Sequence, residues 1–230
     1  MKNKYSVIIL NALPDKKIKS LGNKGLITLD NAYYLIDYQI RFARVLFNNP
    51  EIIVVAGFDS KRLKKYIDNH KDYQSIKYID HIIDNTTNIG TSLRYGMGLV
   101  THNNCFIINS SFVFSTKIKS VVTKHFNDSG VLVTKTNGHI GYTIDNEYLL
   151  NCYYDLPHNL LDGMFIHHKD LEIFKNICLN KIDNLYLFEI INRSIESKIR
   201  FKPINITNKD VYTVDSIQNI EKMRNKLCII

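Results

Sequence analysis

Glu51-Ile-Ile-Val-Val-Ala56 is a continuous apolar run behind a single glutamate. A strand with one wet face alternates apolar and polar residues. A strand covered on both faces does not, so this run predicts a strand buried inside a parallel sheet. Upstream, Leu35, Ile36, Ile40, Ala43, Leu46 and Phe47 recur at helical spacing. Asp30 or Asn31 is placed to cap that helix, and Asn48-Asn49-Pro50 to stop it. Tyr5–Leu10 reads as a first strand, with a polar loop running from it to about Thr28. Downstream, Asp59 or Ser60 caps a basic helix through Tyr66 and Ile67. A strand over Ile76–Ile79, a helix over Thr91–Val100 and a buried strand over Cys105–Asn109 follow. Strand and helix in alternation predict the α/β class: a three-layer α/β/α arrangement around a mostly parallel, doubly wound sheet.

The remainder reads less sharply. Thr116–Phe126, Asp170–Leu179, Leu185–Ile195 and Ser216–Lys226 are expected as helices. Val131–Lys135, Ile140–Ile144, Arg200–Ile206 and Val211–Val214 are expected as strands. No repeat or low-complexity linker interrupts the 230 residues, so one domain over 1–230 is expected. Hydrophobic residues make up 45% of the chain, enough to offset the entropy lost on folding, which excludes a largely disordered protein. No apolar run approaches the roughly 20 residues of a membrane-spanning helix. Asn11, Pro14 and Asp15 cut short the stretch that begins like a signal peptide. Cys105, Cys152, Cys178 and Cys228 are too scattered for a zinc site or disulfide framework, and a cytoplasmic location is expected.

Thirty Lys+Arg against 22 Asp+Glu leave a formal charge of +8. The clusters Lys16, Lys17, Lys19 and Lys61, Arg62, Lys64, Lys65 read as solvated loop and helix faces, and nucleic acid is not an expected partner. His167-His168 reads as a strand end and helix start, because adjacent strand residues point to opposite faces. His81 with Asp80 and Asp84 reads as a surface cluster. Ser110-Ser111 lacks the surroundings of a serine nucleophile. Leu156–Ile166 carries apolar residues in an expected loop, a candidate dimer or partner contact.

In open α/β sheets ligands bind beyond the carboxyl ends of the strands. That points to the loop after Leu10, the Asn85–Ser92 segment and the strand end Asn109–Phe112. The loop Asn11–Gly25 is rich in lysines, which suit a polyphosphate. A polyphosphate cradle also wants glycines, and here Leu13, Pro14 and Asp15 hold the tip.

These segments carry a resemblance. Ile9-Leu10-Asn-Ala-Leu-Pro-Asp-Lys-Lys17 followed by Ser20-Leu-Gly-Asn-Lys-Gly-Leu26 is similar to the first-strand L-A-A-G-x-G-x-R and K-P-L motifs of the GT-A-like nucleotidyltransferases, which act on sugar phosphates and phosphocholine. Leu35–Ile40, Glu51–Gly57, Asn85–Ser92 and Val211–Ile217 fall in the family's order over most of the chain. The resemblance implies a nucleotide-diphospho-sugar transferase-like fold. It places Lys24 as the lysine that contacts substrate phosphate and Lys17 in the arginine position, the two catalytic candidates. Asn11, Ala12, Asn85, Thr86, Thr87 and Asn88 would border the nucleotide, and Asp215 would bind Mg²⁺. The family's other acid ends a strand as N-G-D, whereas this chain reads Asn109-Ser110-Ser111. A neutral hydroxyl is a weak ligand for a hard cation.

With the glycines, the arginine and one acid missing together, the resemblance implies a degenerate member, weakly active or inactive. It would serve as a nucleotide-binding, regulatory or structural subunit, with a protein partner or a second copy, and a place in a larger assembly, of viral or other origin, would also fit. The alternative is an active Mg²⁺-dependent enzyme joining an NTP to a sugar phosphate or phosphorylated alcohol. That alternative needs a second carboxylate near Asp215, with Asp15 and Asp84 as candidates. A glycosyltransferase would want a D-x-D after a strand, which Asn109–Ser111 does not supply.

Overall fold

The computed structural model describes residues 4–14, 16–30, 32–83, 87–136, 138–180 and 182–227. The chain alternates β1 (Tyr5–Asn11), α1 (Leu35–Leu46), β2 (Glu51–Ala56), α2 (Ser60–Asn69), β3 (Lys77–Asp80), α3 (Ile89–Gly98) and β4 (Asn104–Asn109). It continues through β5 (Phe112–Phe114), α4 (Lys119–Thr123), β6 (Gly130–Thr134), β7 (Ile140–Asp145), β8 (Tyr148–Tyr154) and β9 (Asn159–Ile166). α5 (His168–Leu179), α6 (Leu187–Glu196), β10 (Lys202–Asn205), β11 (Val211–Thr213) and α7 (Ile217–Leu227) complete it.

Among the described residues, seven strands form one sheet in the order β10-β6-β9-β4-β1-β2-β3. All neighbours run parallel except β9, which is antiparallel to both β4 and β6. The unbroken apolar runs are explained by the period of two. Ile8, Leu10, Ile53, Val55, Cys105 and Ile107 pack under α3, α5 and α6 on one face. Val7, Ile9, Ile52, Val54, Phe106 and Ile108 pack under α1, α2 and α4 on the other. A third cluster seats α7 on the first loop, through Ile220 and Met223 against Ile18, Ile27 and Leu29. The expected three-layer fold is therefore present. Among the described residues no helix is long and apolar enough to cross a membrane.

Several local expectations are corrected. Leu156–Ile166 is not a surface loop. Its greater part is β9, with Leu160, Leu161, Met164, Phe165 and Ile166 all buried, so these apolar residues serve the core and not a partner. Pro157 and the Asp162-Gly163 pair are residues common in turns, yet Asp162 and Gly163 lie within the strand. Asp30 does not cap α1. Its Oδ1 accepts from the backbone N–H groups of Ala32 and Tyr33 at 2.8 and 2.7 Å, closing a turn, and Asp37 accepts from Tyr34 N at 2.7 Å instead. Asn31 lies outside the described residues. Asp59 precedes α2 in a left-handed conformation without a side-chain capping bond, and it pairs with Arg62 at 3.2 Å. The helix expected over Thr116–Phe126 shrinks to a 3₁₀ turn and the five-residue α4.

Candidate functional site

The chain leaves β1 toward β2 on one side, while β4 continues the sheet on the other. The carboxyl ends of β1 and β4 thus form the switch point where open α/β sheets leave a crevice. The first loop is pinned there by two asparagines. Asn11 Nδ2 donates to Asn23 Oδ1 at 2.7 Å, and Asn23 Nδ2 donates to the Phe58 carbonyl at 2.7 Å. Asn23 Oδ1 also accepts from Gly25 N at 2.9 Å. That bond obliges Asn11 to present its amide, and leaves Asn11 Oδ1 buried without a partner among the described residues. A Cβ at Gly25 would stand 2.9 Å from Asn11 Nδ2 and 3.1 Å from Asn23 Oδ1, so a side chain there would press on the bond between the two asparagines.

This latch turns Lys24 inward. The side chain is 8% exposed, and Nζ donates to Ser111 Oγ at 2.8 Å. Ser111 follows β4 and is held by Asn109, whose Oδ1 accepts from Ser111 N at 2.9 Å. Asn109 Nδ2 donates to Asp162 Oδ2 at 3.0 Å. Val214 N donates to the Ser111 carbonyl at 2.7 Å, which brings Asp215 to the same strand end. Asp215 Oδ1 accepts from Asn219 Nδ2 at 2.7 Å, and the neighbouring Ser216 Oγ accepts from Asn219 N at 3.3 Å. Ser216 is therefore the cap of α7.

Two adjoining cavities open here. The smaller, about 130 Å³, is lined by Ala12, Leu13, Pro14, Lys24, Ser92 and Ser111 among others. The larger, about 320 Å³, is walled by His139, Tyr154, Tyr186 and Phe188, with Asp162 in its lining. Leu13, Ile89 and Asn109 line both. Burial pushes the Asp162 carboxyl above the usual carboxylate range, against the pull of the Asn109 amide and the Lys24 charge. An open hollow of about 420 Å³ lies beside β2 and β3, but none of Lys24, Ser111 or Asp162 lines it.

The amino end of α3 offers little to an anion. Asn88 Oδ1 accepts from Ile89 N at 2.7 Å, Leu185 O from Gly90 N at 3.1 Å, and Asn88 O from Thr91 N at 3.1 Å. These leading N–H groups, elsewhere a phosphate seat, are already used. Thr91 Oγ1 and Arg94 Nε bind Asp183 O and Oδ1, each at 2.7 Å, so the 182–185 segment lies over this helix end.

The sequence-derived candidates divide accordingly. Lys24, Ala12 and Asn88 line the cavities, and Asp215 adjoins Ser111. Asn11 lies beneath, holding the loop. Lys17 is exposed on the outer turn and lines neither cavity, and Thr87 is half-buried on the approach to α3. Asn85 and Thr86 lie outside the described residues, as do Asp15 and Asp84. His81 is half-buried: its Nε2 meets Ser92 Oγ at 3.1 Å, its ring stacks on Tyr95, and burial lowers its pKa. His167 and His168 mark the β9 end and the α5 start, as expected. The residue missed by sequence reasoning is Asp162. A lone acid inside Leu160-Leu-Asp-Gly-Met-Phe-Ile166 was the available signal, because a carboxylate in a core strand needs a reason to be there.

Among the described residues no three His, Cys, Asp or Glu side chains gather as metal ligands. The strand-end hydroxyl that stands where an acid was sought already accepts from an ammonium.

No family model matches the chain, and neither does any curated protein. Solved structures do. The CTP:phosphocholine cytidylyltransferase from Streptococcus pneumoniae superposes with a TM-score of 0.77 at 14% identity, over 97% of this chain and 99% of that one. The inositol-1-phosphate CTP transferase from T. maritima gives 0.73 at 12%, over 99% and 97%. The nucleoside-diphosphate-sugar pyrophosphorylase from Vibrio cholerae gives 0.73 at 9%, over 95% and 99%. The chain has the fold of the nucleotidyltransferases from end to end.

Proposed function

We propose that this protein binds a nucleotide or another phosphorylated small molecule in the β1/β4 cleft and has lost most or all transfer chemistry, acting as a regulatory or structural subunit. The observation that carries this reading is Ser111 at the end of β4, bound by Lys24 where a transferase needs a metal-holding acid. Leu13 and Pro14 line the smaller cavity in place of a glycine cradle, and at about 130 Å³ it falls below the roughly 300 Å³ of ordinary ligand pockets. Each lost preorganised contact commonly lowers turnover by about 10²–10³. For a partner contact, the β7–β8 hairpin presents exposed Ile144, Leu150, Tyr153 and Tyr154.

A second reading, an active transferase, is favoured by one observation: a larger cavity carrying Asp162 opens directly beside the smaller one, as a two-substrate site would require. Calorimetry with CTP, UTP, GTP and ATP, paired with a pyrophosphate-release assay over phosphorylated acceptors, separates the readings. Binding of one nucleotide without release supports the first. Sustained release supports the second, and no binding at millimolar concentrations leaves the cleft vestigial and refutes both.

A further inference from the structure

We infer that Ser92 is a nucleophile activated by His81, and that it takes the terminal phosphoryl group of a phosphoric anhydride held in the smaller cavity. The inference rests on the reading that the cleft binds a phosphorylated ligand, and goes beyond it by naming an acceptor within the chain. A serine inside a helix can spend its proton on the carbonyl one turn back. Ser194 does so, donating to Ile190 O at 2.7 Å. Ser92 lies within α3, yet among the described residues its hydroxyl is partnered by His81 Nε2, at 3.1 Å. The other ring nitrogen fixes the direction of that bond. His81 Nδ1 lies 3.1 Å from the Ile82 carbonyl oxygen, which can only accept. Nδ1 therefore carries the proton, and Nε2 turns its lone pair to the Ser92 hydroxyl.

Nucleophile, base and orienting group thus stand in line, the arrangement that activates a hydroxyl. The imidazole is also held in plane, stacked on Tyr95 with centroids 5.0 Å apart and planes 3° from parallel. Burial lowers its pKa against the Ile82 bond and Asp80, and Arg94, 4.9 Å over the Tyr95 ring, adds to the lowering. The ring is then a neutral base at neutral pH. Ser92 is 1% exposed and lines the cavity beside Lys24, Asn109 and Ser111, away from bulk water. A cavity of about 130 Å³ has room for a phosphoryl group and not for a whole nucleotide, so the terminal phosphorus is the one within reach. In the step, Ser92 Oγ forms a bond to that phosphorus and the anhydride P–O bond breaks. Its electron pair leaves on the departing phosphate or nucleoside diphosphate. The hydroxyl proton passes to His81 Nε2 and from there to solvent. The product is a phosphoserine, made once per chain, which needs no sustained turnover.

The test incubates the full chain with pyrophosphate and with each NTP in Mg²⁺, beside calorimetry of the same mixtures, and reads the Ser92 peptide by mass spectrometry. One phosphoryl group on Ser92 is expected, and none on the same peptide of Ser92→Ala. His81→Phe keeps a ring against Tyr95 and removes the base. Its rate of modification should fall about 10²–10⁴-fold while ligand binding is retained. The wild-type rate should rise with pH as His81 loses its proton, reach half its maximum below pH 6.5, and then level off. A ligand that binds while Ser92 stays unmodified overturns the inference and leaves the reading of the cleft standing. Modification at an unchanged rate in His81→Phe also overturns it, because the ring would then serve structure alone. Neither binding nor modification overturns the reading of the cleft itself, and the inference with it.

Discussion

Asn109 and Asp162, 53 residues apart on adjacent antiparallel strands, are joined by a 3.0 Å hydrogen bond from the amide to the carboxylate. The amide cannot turn away, because its oxygen holds Ser111 N. One neutral donor beside the floor of an aromatic-walled cavity does not replace the hydration of a carboxylate, and burial dominates.

From this follows a pH-dependent prediction. The folded-state pKa of Asp162 lies above its unfolded value, so its contribution is most favourable below about pH 4 and is lost as pH rises through the folded value. Asp162→Asn should therefore melt higher than wild type at neutral pH, and the gain should vanish near pH 3. Melting curves at both pH values decide it. A destabilised variant at neutral pH would show that the ionised carboxylate is satisfied in place.

Glu51 works in the opposite direction at the amino ends of the strands. Burial alone would raise its pKa, but Lys77, Ser6 and Thr101 together hold it at about 2. A lowered carboxylate stabilises the fold fully above its unfolded value near 4.5 and loses that contribution as pH falls toward about 2. Glu51→Gln should cost about 1.5–3 kcal/mol at neutral pH. It should also flatten the pH dependence of unfolding below pH 4.5, read by urea titration across that range.

Gly90 is predicted to tolerate no side chain. A Cβ there would stand 1.8 Å from the Ile182 carbonyl oxygen, which is backbone and cannot swing aside. Gly90→Ala should displace the 182–185 segment from α3 and cost about 1–3 kcal/mol or more. Amide exchange should speed at Leu185 and its neighbours while the sheet core stays protected. Unchanged exchange there would show that the helix shifts instead.

Asp37 gathers the hydroxyls of Tyr66 at 2.9 Å and Tyr73 at 2.6 Å beneath α1, together with Tyr34 N. Burial and the Asp37 charge push both tyrosine hydroxyls well above their ordinary range. Tyr73→Phe should cost about 1–2 kcal/mol. Alkaline absorbance titration should find these phenols ionising only with unfolding, whereas early titration of Tyr73 would mean that the Asp37 contact is absent.

The layers of this fold were legible in the chain because strand burial is a local record. Ile52–Ala56 and Cys105–Ile108 lack polar residues since both faces of each strand are covered, and Leu35 to Phe47 repeat at the turn of a helix. Lys17 and Lys24 are singled out together and only by the family resemblance, because nothing in the loop's own residues separates them. β9 could not be read in the same way. It enters antiparallel among parallel strands, and its Asp-Gly pair carries the signature of a turn.

The difference lies in where the partners come from. A side chain's tendency to leave water is written in its own type and spacing, so the core of this protein follows from the residues read in order. Whether Lys24 faces solvent or Ser111, and whether Asp162 meets water or Asn109, depends on groups 87 and 53 residues away. Those neighbours exist only once β4, β9 and the first loop have packed, because a hydrogen bond at 3 Å is a property of the assembled sheet and not of any one strand.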